Sequence, residues 1–260
     1  ILHGDKEPIA AAAVLEPVLT SAEAYDKVVD VLEVQLRHAE DDIRRVELLH
    51  RIAEISEAVL EQPANALNAY ARAVPSDPLN DTTLTNFERL ADGLQAWPLV
   101  AQTYDAATQK LTDEPDKRLE LLLRNAQIYE VQISDAQAAI DRYRLALEID
   151  PQNSAALRSL DRLFEALERW QELADTLRRE VSLSDLSPDE SLDVRFRLAQ
   201  VLEHRLNDVD GALATYREIL DAQADHPNTV AALEDLFARE VRRQDVAALL
   251  EPIYRMQDAW

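Results

Sequence analysis

The chain has 260 residues, with 50 acidic against 27 basic side chains, a formal net charge of −23, 47% apolar residues, three glycines and no cysteine. This charge opposes binding to nucleic-acid phosphates and to anionic lipid surfaces. The missing cysteines exclude disulfides, thiolate metal sites and thiol catalysis, and the scarce glycines leave little for strand turns or phosphate loops.

Taken in chain order, apolar periodicity and turn residues predict fourteen helices, at 9–21, 24–38, 41–60, 63–74, 79–94, 96–112, 116–132, 135–148, 152–166, 169–182, 188–206, 208–221, 227–238 and 242–258. A membrane-spanning helix takes about 20 apolar residues in a row, and none of these segments is such a run, so no membrane insertion is expected. Ala, Leu, Glu and Arg, all strong helix formers, dominate. Leu122, Ala126, Tyr129 and Ile133 make one stripe of the helix at 116–132. Ser134 and Asp135 are both candidate caps for the next helix. That helix must end before Asp150–Pro151, because proline disfavours the helical conformation at the residue before it. Pro98 suits the first turn of its helix. The longest irregular stretch is 182–188, so residues 1–260 read as one continuous solenoid of about seven hairpins.

A repeat underlies this order. Tyr70, Tyr143 and Tyr216 recur with one constant 73-residue step. The same step relates Arg51, Arg124 and Arg197; Ala53, Ala126 and Ala199; Glu57, Glu130 and Glu203; and Ala66, Ala139 and Ala212. Trp97 and Trp170 keep it too, and Tyr25 falls one position away from where it would place the partner before Trp97. Ala139, Tyr143, Ala146 and Pro151 have offsets of 4, 7 and 12, which Ala66, Tyr70, Ala73 and Pro78 reproduce. In the third copy, Ala212, Tyr216 and Ile219 are followed by a late proline, Pro227. This pattern resembles the second helix of a tetratricopeptide repeat, where small residues let two helices approach and an aromatic ring fills the gap to the next hairpin. Leu84, Phe87 and Trp97, and Leu157, Leu160, Phe164, Trp170, Leu173 and Leu177, resemble it more loosely. The family's first-helix glycine is replaced by Ala126 or larger residues, which marks a divergent member.

The resemblance implies an all-α fold, an α-solenoid wound as a right-handed superhelix, with first helices lining the concave face. Carried over, it puts Glu120, Leu123, Gln127 and Glu130 on that face, with Glu47, His50, Glu54 and Glu57 before them and Asp193, Phe196, Gln200 and Glu203 after. Arg89 and Arg162 fall between these acidic rows. Such a groove suits a protein or peptide partner rich in Lys or Arg. The plainer reading is that Glu47–Arg51, Glu120–Arg124 and Asp193–Arg197 are i,i+4 pairs dressing solvated helices, worth about 0.2–0.5 kcal/mol each. The family's carboxylate clamp, which needs Lys and Asn, is not expected, because Glu, Thr, Gln or Arg stand at those positions.

His3, His38, His50, His204 and His226 form no i,i+3 or i,i+4 pair, so they are expected to be solvated and not metal ligands. No nucleophile, acid–base pair or phosphate loop is patterned, so no enzyme and no cofactor are expected. The expected function is a non-catalytic protein–protein interaction scaffold. The alternative is a structural, self-associating segment of a larger assembly. Val14–Val18 and Leu249–Ile253 carry similar pentapeptides near the two ends, in a register that also aligns Tyr25 with Trp260. From this, end-to-end association and an array longer than the sequence are expected.

Overall fold

A computed structural model describes residues 8–257, and Trp260 and His3 lie outside them. Among the described residues there are fourteen α-helices and no strand. They are α1 (Pro8–Ser21), α2 (Tyr25–Arg37), α3 (Asp42–Ala58), α4 (Pro63–Ala73), α5 (Asp81–Leu94), α6 (Trp97–Lys110) and α7 (Pro115–Gln127). There follow α8 (Ala136–Ile149), α9 (Ser154–Ala166), α10 (Trp170–Glu180), α11 (Pro188–His204), α12 (Val209–Ala222), α13 (Pro227–Ala238) and α14 (Arg243–Gln257). One departure from the sequence reading is a π-helical turn, Ile128–Ile133, where an unbroken α-helix was expected. Its wider winding buries Ile128 and lets the neighbouring Tyr129 reach Asp105.

The starts and stops are chemical. Asn80, Asn153 and His226 occupy one register of the repeat and cap α5, α9 and α13. They accept the backbone N–H of Thr83 (3.0 Å), Ala156 (3.0 Å) and Thr229 (3.3 Å). Asp135 and Asp208 do the same for α8 and α12. Of the two candidates at 134–135, Asp135 is therefore the cap. Ser134 takes a left-handed conformation with φ 61°, repeated at Glu61 (55°) and Asn207 (52°), and also at Gln95 (53°) and Glu168 (54°). These turns reverse the chain without glycine.

The chain packs as two compact units, one ending at Ile149 and the other starting at Asp150. In the first, α1 to α8 each pack on the next. The repeated Ala66–Tyr70–Ala73 and Ala139–Tyr143–Ala146 sets are buried to 3% exposure or less, among Leu32, Leu48, Phe87, Tyr104 and Leu121. In the second, α9 to α14 bury Leu157, Phe164, Leu177, Leu202, Ala212, Tyr216 and Ile219. Small residues at the crossings and a ring in each gap account for this fold, an all-α solenoid of tetratricopeptide-like hairpins.

Candidate functional site: the first-helix faces

The faces follow from the odd-numbered helices. In the first unit, α3 presents Glu47 and Glu54 to solvent and α7 presents Glu120 and Gln127. Leu123 is half-buried. His50 is half-buried too. Its Nε2 lies 2.7 Å from the Thr83 hydroxyl at the start of α5, and burial holds its pKa below the ordinary value. Glu57 is tied to Arg89 of α5 by two bonds of 2.8 and 2.7 Å, which hold its carboxyl below the usual range. Glu130 is half-buried and accepts the Tyr143 hydroxyl at 3.1 Å.

In the second unit, Asp193, Gln200 and Arg162 are exposed or half-exposed at the surface of α11 and α9. Phe196 is half-buried, its ring 6.1 Å from Tyr216 and 5.9 Å from His226. Glu203 lies inside, at 6% exposure. It accepts the Tyr216 hydroxyl at 3.0 Å and pairs with Arg239. The predicted row is thus two populations, exposed groups that can meet a partner and groups that fasten one hairpin to the next.

The expected i,i+4 pairs are not what forms. Arg51 turns to Glu16 of α1 (2.5 Å), Arg124 to Glu88 of α5 (2.6 Å), and Arg197 to Asp161 (2.8 Å) and Glu165 (3.0 Å) of α9. Each arginine bridges to the first helix of the preceding hairpin, where a partly buried carboxylate offers a less screened partner than the exposed acid one turn away. The hydroxyl of buried Tyr104 donates to the same Glu88 at 2.7 Å. Asp105 is a second junction, accepting from Asn125 (2.8 Å), Tyr129 (2.8 Å) and Arg142 (2.6 and 3.0 Å). Sequence reasoning missed Glu88, Asp105, Asp161 and Arg239. A signal existed, because Glu88–Arg124, Asp161–Arg197 and Glu203–Arg239 share one sequence separation, the length of a hairpin.

The histidines divide. His38 and His204 are exposed, whereas His226 is buried as the cap of α13, contrary to the expectation that all are solvated. Among the described residues no three His, Asp or Glu come together as a metal site, and no helix is long and apolar enough to cross a membrane.

Two clefts open between successive first helices. One, about 350 Å³, lies in the first unit between α3 and the α4–α5 turn. It is lined by Asp42, Glu47, His50 and Asp77, with Ile43 72% exposed at its edge. The other, about 450 Å³, lies between α11 and α13 and is lined by Phe196, Gln200, Glu203, Asn228 and Ala232. Five of the predicted positions therefore line concavities: Glu47, His50, Phe196, Gln200 and Glu203.

Hairpins stacked by neighbour contacts, with clefts between first helices, make up a helical-repeat fold of tetratricopeptide-like hairpins. No family model and no curated protein sequence matches the chain. Solved structures similar to it include MamA (14% identity, covering 80% of this chain and 95% of that one, TM-score 0.38). YrrB, described as a TPR protein with an unusual peptide-binding site, is similar at 15% identity (82% and 99% covered, TM-score 0.39). Human IFIT1, solved as a dimer with m7Gppp-AAAA, is similar at 13% identity (90% and 64% covered, TM-score 0.39). The likeness is one of fold.

Proposed function

We propose that this chain is a non-catalytic scaffold that holds a basic protein segment against its first-helix faces. The observation that carries the reading is the lining of the α3–α5 cleft. Asp42, Glu47 and Asp77 line it beside the exposed apolar side chain of Ile43, with Arg44 of the same helix bridging Glu47 at 3.0 Å. An acidic concavity with an apolar edge complements a segment in which Lys or Arg flanks an aliphatic residue. Glu54 and Glu120, exposed on α3 and α7, extend the acidic surface. In the second unit, Gln200 and Asn228 supply amide groups beside the ring of Phe196, suited to a peptide backbone and an apolar side chain.

The test titrates the full chain with two labelled peptides of equal apolar content, one rich in Lys and Arg and one in Asp and Glu. The expected result is preferential binding of the basic peptide by about tenfold, weakened by salt and by Glu47→Lys/Asp77→Lys. Equal binding of both peptides, or binding untouched by the double substitution, overturns the reading.

A further inference from the structure

A third cleft, about 270 Å³, opens in the second unit between the start of α10 and the C-terminal half of α11. Half-buried Trp170 and Val201, with buried Leu173, make its apolar wall. Gln200, His204 and Arg205 stand at its rim, all exposed. The Arg205 guanidinium lies over the Trp170 ring, 4.5 Å from its centre. Such stacking occupies the flat face of a guanidinium and leaves its N–H edge open. Among the described residues, no hydrogen-bond or carboxylate partner meets the side chain of Arg205 or of Gln200. The two acids at hand already accept from other arginines, Glu165 from Arg197 at 3.0 Å and Glu203 from Arg239.

The repeat separates what the fold needs here from what it does not. One step earlier, Trp97, Val100, Arg124, Gln127 and Ile128 match Trp170, Leu173, Arg197, Gln200 and Val201. With that shared framework α6 packs on α7 as α10 packs on α11. Arg205 is not part of it. Gln132 stands in its register one step earlier, and Val59 two steps earlier. Stacking of hairpins therefore does not call for an arginine at this place. Arg205 is also the residue that ends α11, beyond the first-helix positions that carry the acidic surface.

We propose that the Trp170–Arg205 cleft is a second binding site, of opposite charge preference to the α3–α5 cleft, which takes an acidic protein segment with an Asp or Glu beside an apolar residue. The carboxylate accepts from the open edge of Arg205 and from the Gln200 amide. The apolar neighbour lies against Trp170 and Val201. Unpaired donors at the rim of an apolar wall complement a carboxylate and not a second cation. The net charge of −23 gives such a segment no long-range attraction, so its recognition depends on this local contact.

The test follows the tryptophan indole N–H signals of the full, isotope-labelled chain by NMR. The probes are an end-blocked peptide with Leu-Glu-Leu in an otherwise uncharged sequence, its Leu-Gln-Leu counterpart, and acetate. The Trp170 signal is expected to move saturably with the Glu peptide while that of Trp97 stays, and the Gln peptide binds about tenfold more weakly. Arg205→Gln, which installs the residue of the preceding copy, weakens the Glu peptide about tenfold and leaves both the thermal melt and the affinity for a Lys- and Arg-rich peptide unchanged. Gln200→Glu, an exposed position away from the stacked rings, weakens the Glu peptide as well, by repulsion, so that loss of the Arg205 stack alone cannot imitate loss of the site. The proposal is overturned if the Glu and Gln peptides bind alike, if acetate moves the Trp170 signal as far at equal concentration, or if either substitution leaves the affinity for the Glu peptide unchanged. Because the Lys- and Arg-rich peptide is read in the same chains, failure here is distinct from failure of the α3–α5 site.

Discussion

At the scale of single residues, Glu180 shows how burial sets a charge. It closes α10 at 4% exposure, with Oε1 lacking a hydrogen-bond partner. Burial first and the nearby Asp161 second push its carboxyl up to about 7, against the pull of Arg197 and Arg158. The folded value is above the unfolded one, so folding favours the protonated form. Glu180 therefore costs nothing below the unfolded carboxyl range and progressively destabilises the second unit as pH rises towards 7. Between pH 5 and 8 the chain is expected to lose on the order of 2 kcal/mol through this group, and Glu180→Gln flattens that slope in pH-dependent melts. None of this is legible in sequence, where Glu180 is one acid among 50. The left-handed turns were equally hidden. With three glycines in the chain, Gln95 and Glu168 occupy a conformation that costs side-chain-bearing residues about 1–2 kcal/mol. Gln95→Gly or Glu168→Gly should each raise stability by about 0.5–1 kcal/mol in denaturant titrations, part of the relief being offset by the freer unfolded chain.

At the scale of helices, the ring positions were readable because a fixed step survives wherever one side chain must fill one gap, as Tyr70, Tyr143 and Tyr216 do. The π turn at Ile128–Ile133 was not readable. Its cause is tertiary: the pull of Asp105 on Asn125 and Tyr129 from the neighbouring α6. Leu122, Ala126, Tyr129 and Ile133 keep helical spacing in the sequence whether the last turn is α or π. Asp105 joins α6 to α7, the π turn and α8 through three partners, and Arg142 also lies 4.5 Å over the Tyr129 ring. Asp105→Ala strands the Arg142 guanidinium and two donors, and is expected to cost the first unit about 3 kcal/mol in chemical denaturation. Asp105→Asn should cost less, because it keeps one acceptor oxygen, though it loses the charge and turns the other acceptor into an N–H donor.

At the scale of the whole molecule, the question is which acids of this highly acidic chain fasten hairpins and which remain for a partner. The sequence places Glu57, Glu130 and Glu203 on the same first-helix rows as Glu47, Glu54 and Glu120, and helical spacing alone cannot separate them, since all are carboxylates at steps of three or four along those rows. The distinction lies in the donor that each meets: Arg89 for Glu57, Tyr216 and Arg239 for Glu203, and the Tyr143 hydroxyl for Glu130. Charge reversal should expose it. Glu203→Lys puts an ammonium at 6% exposure beside Arg239 and removes the acceptor of Tyr216, so a loss of about 3–5 kcal/mol from the second unit is expected. Glu120→Lys, on a solvated position, is expected to change stability by less than about 0.5 kcal/mol while lowering affinity for a basic peptide. Measuring melting and peptide affinity on both variants separates the roles. If Glu120→Lys destabilises as much as Glu203→Lys, the exposed acids also fasten hairpins; if it leaves affinity unchanged, the basic segment is held elsewhere.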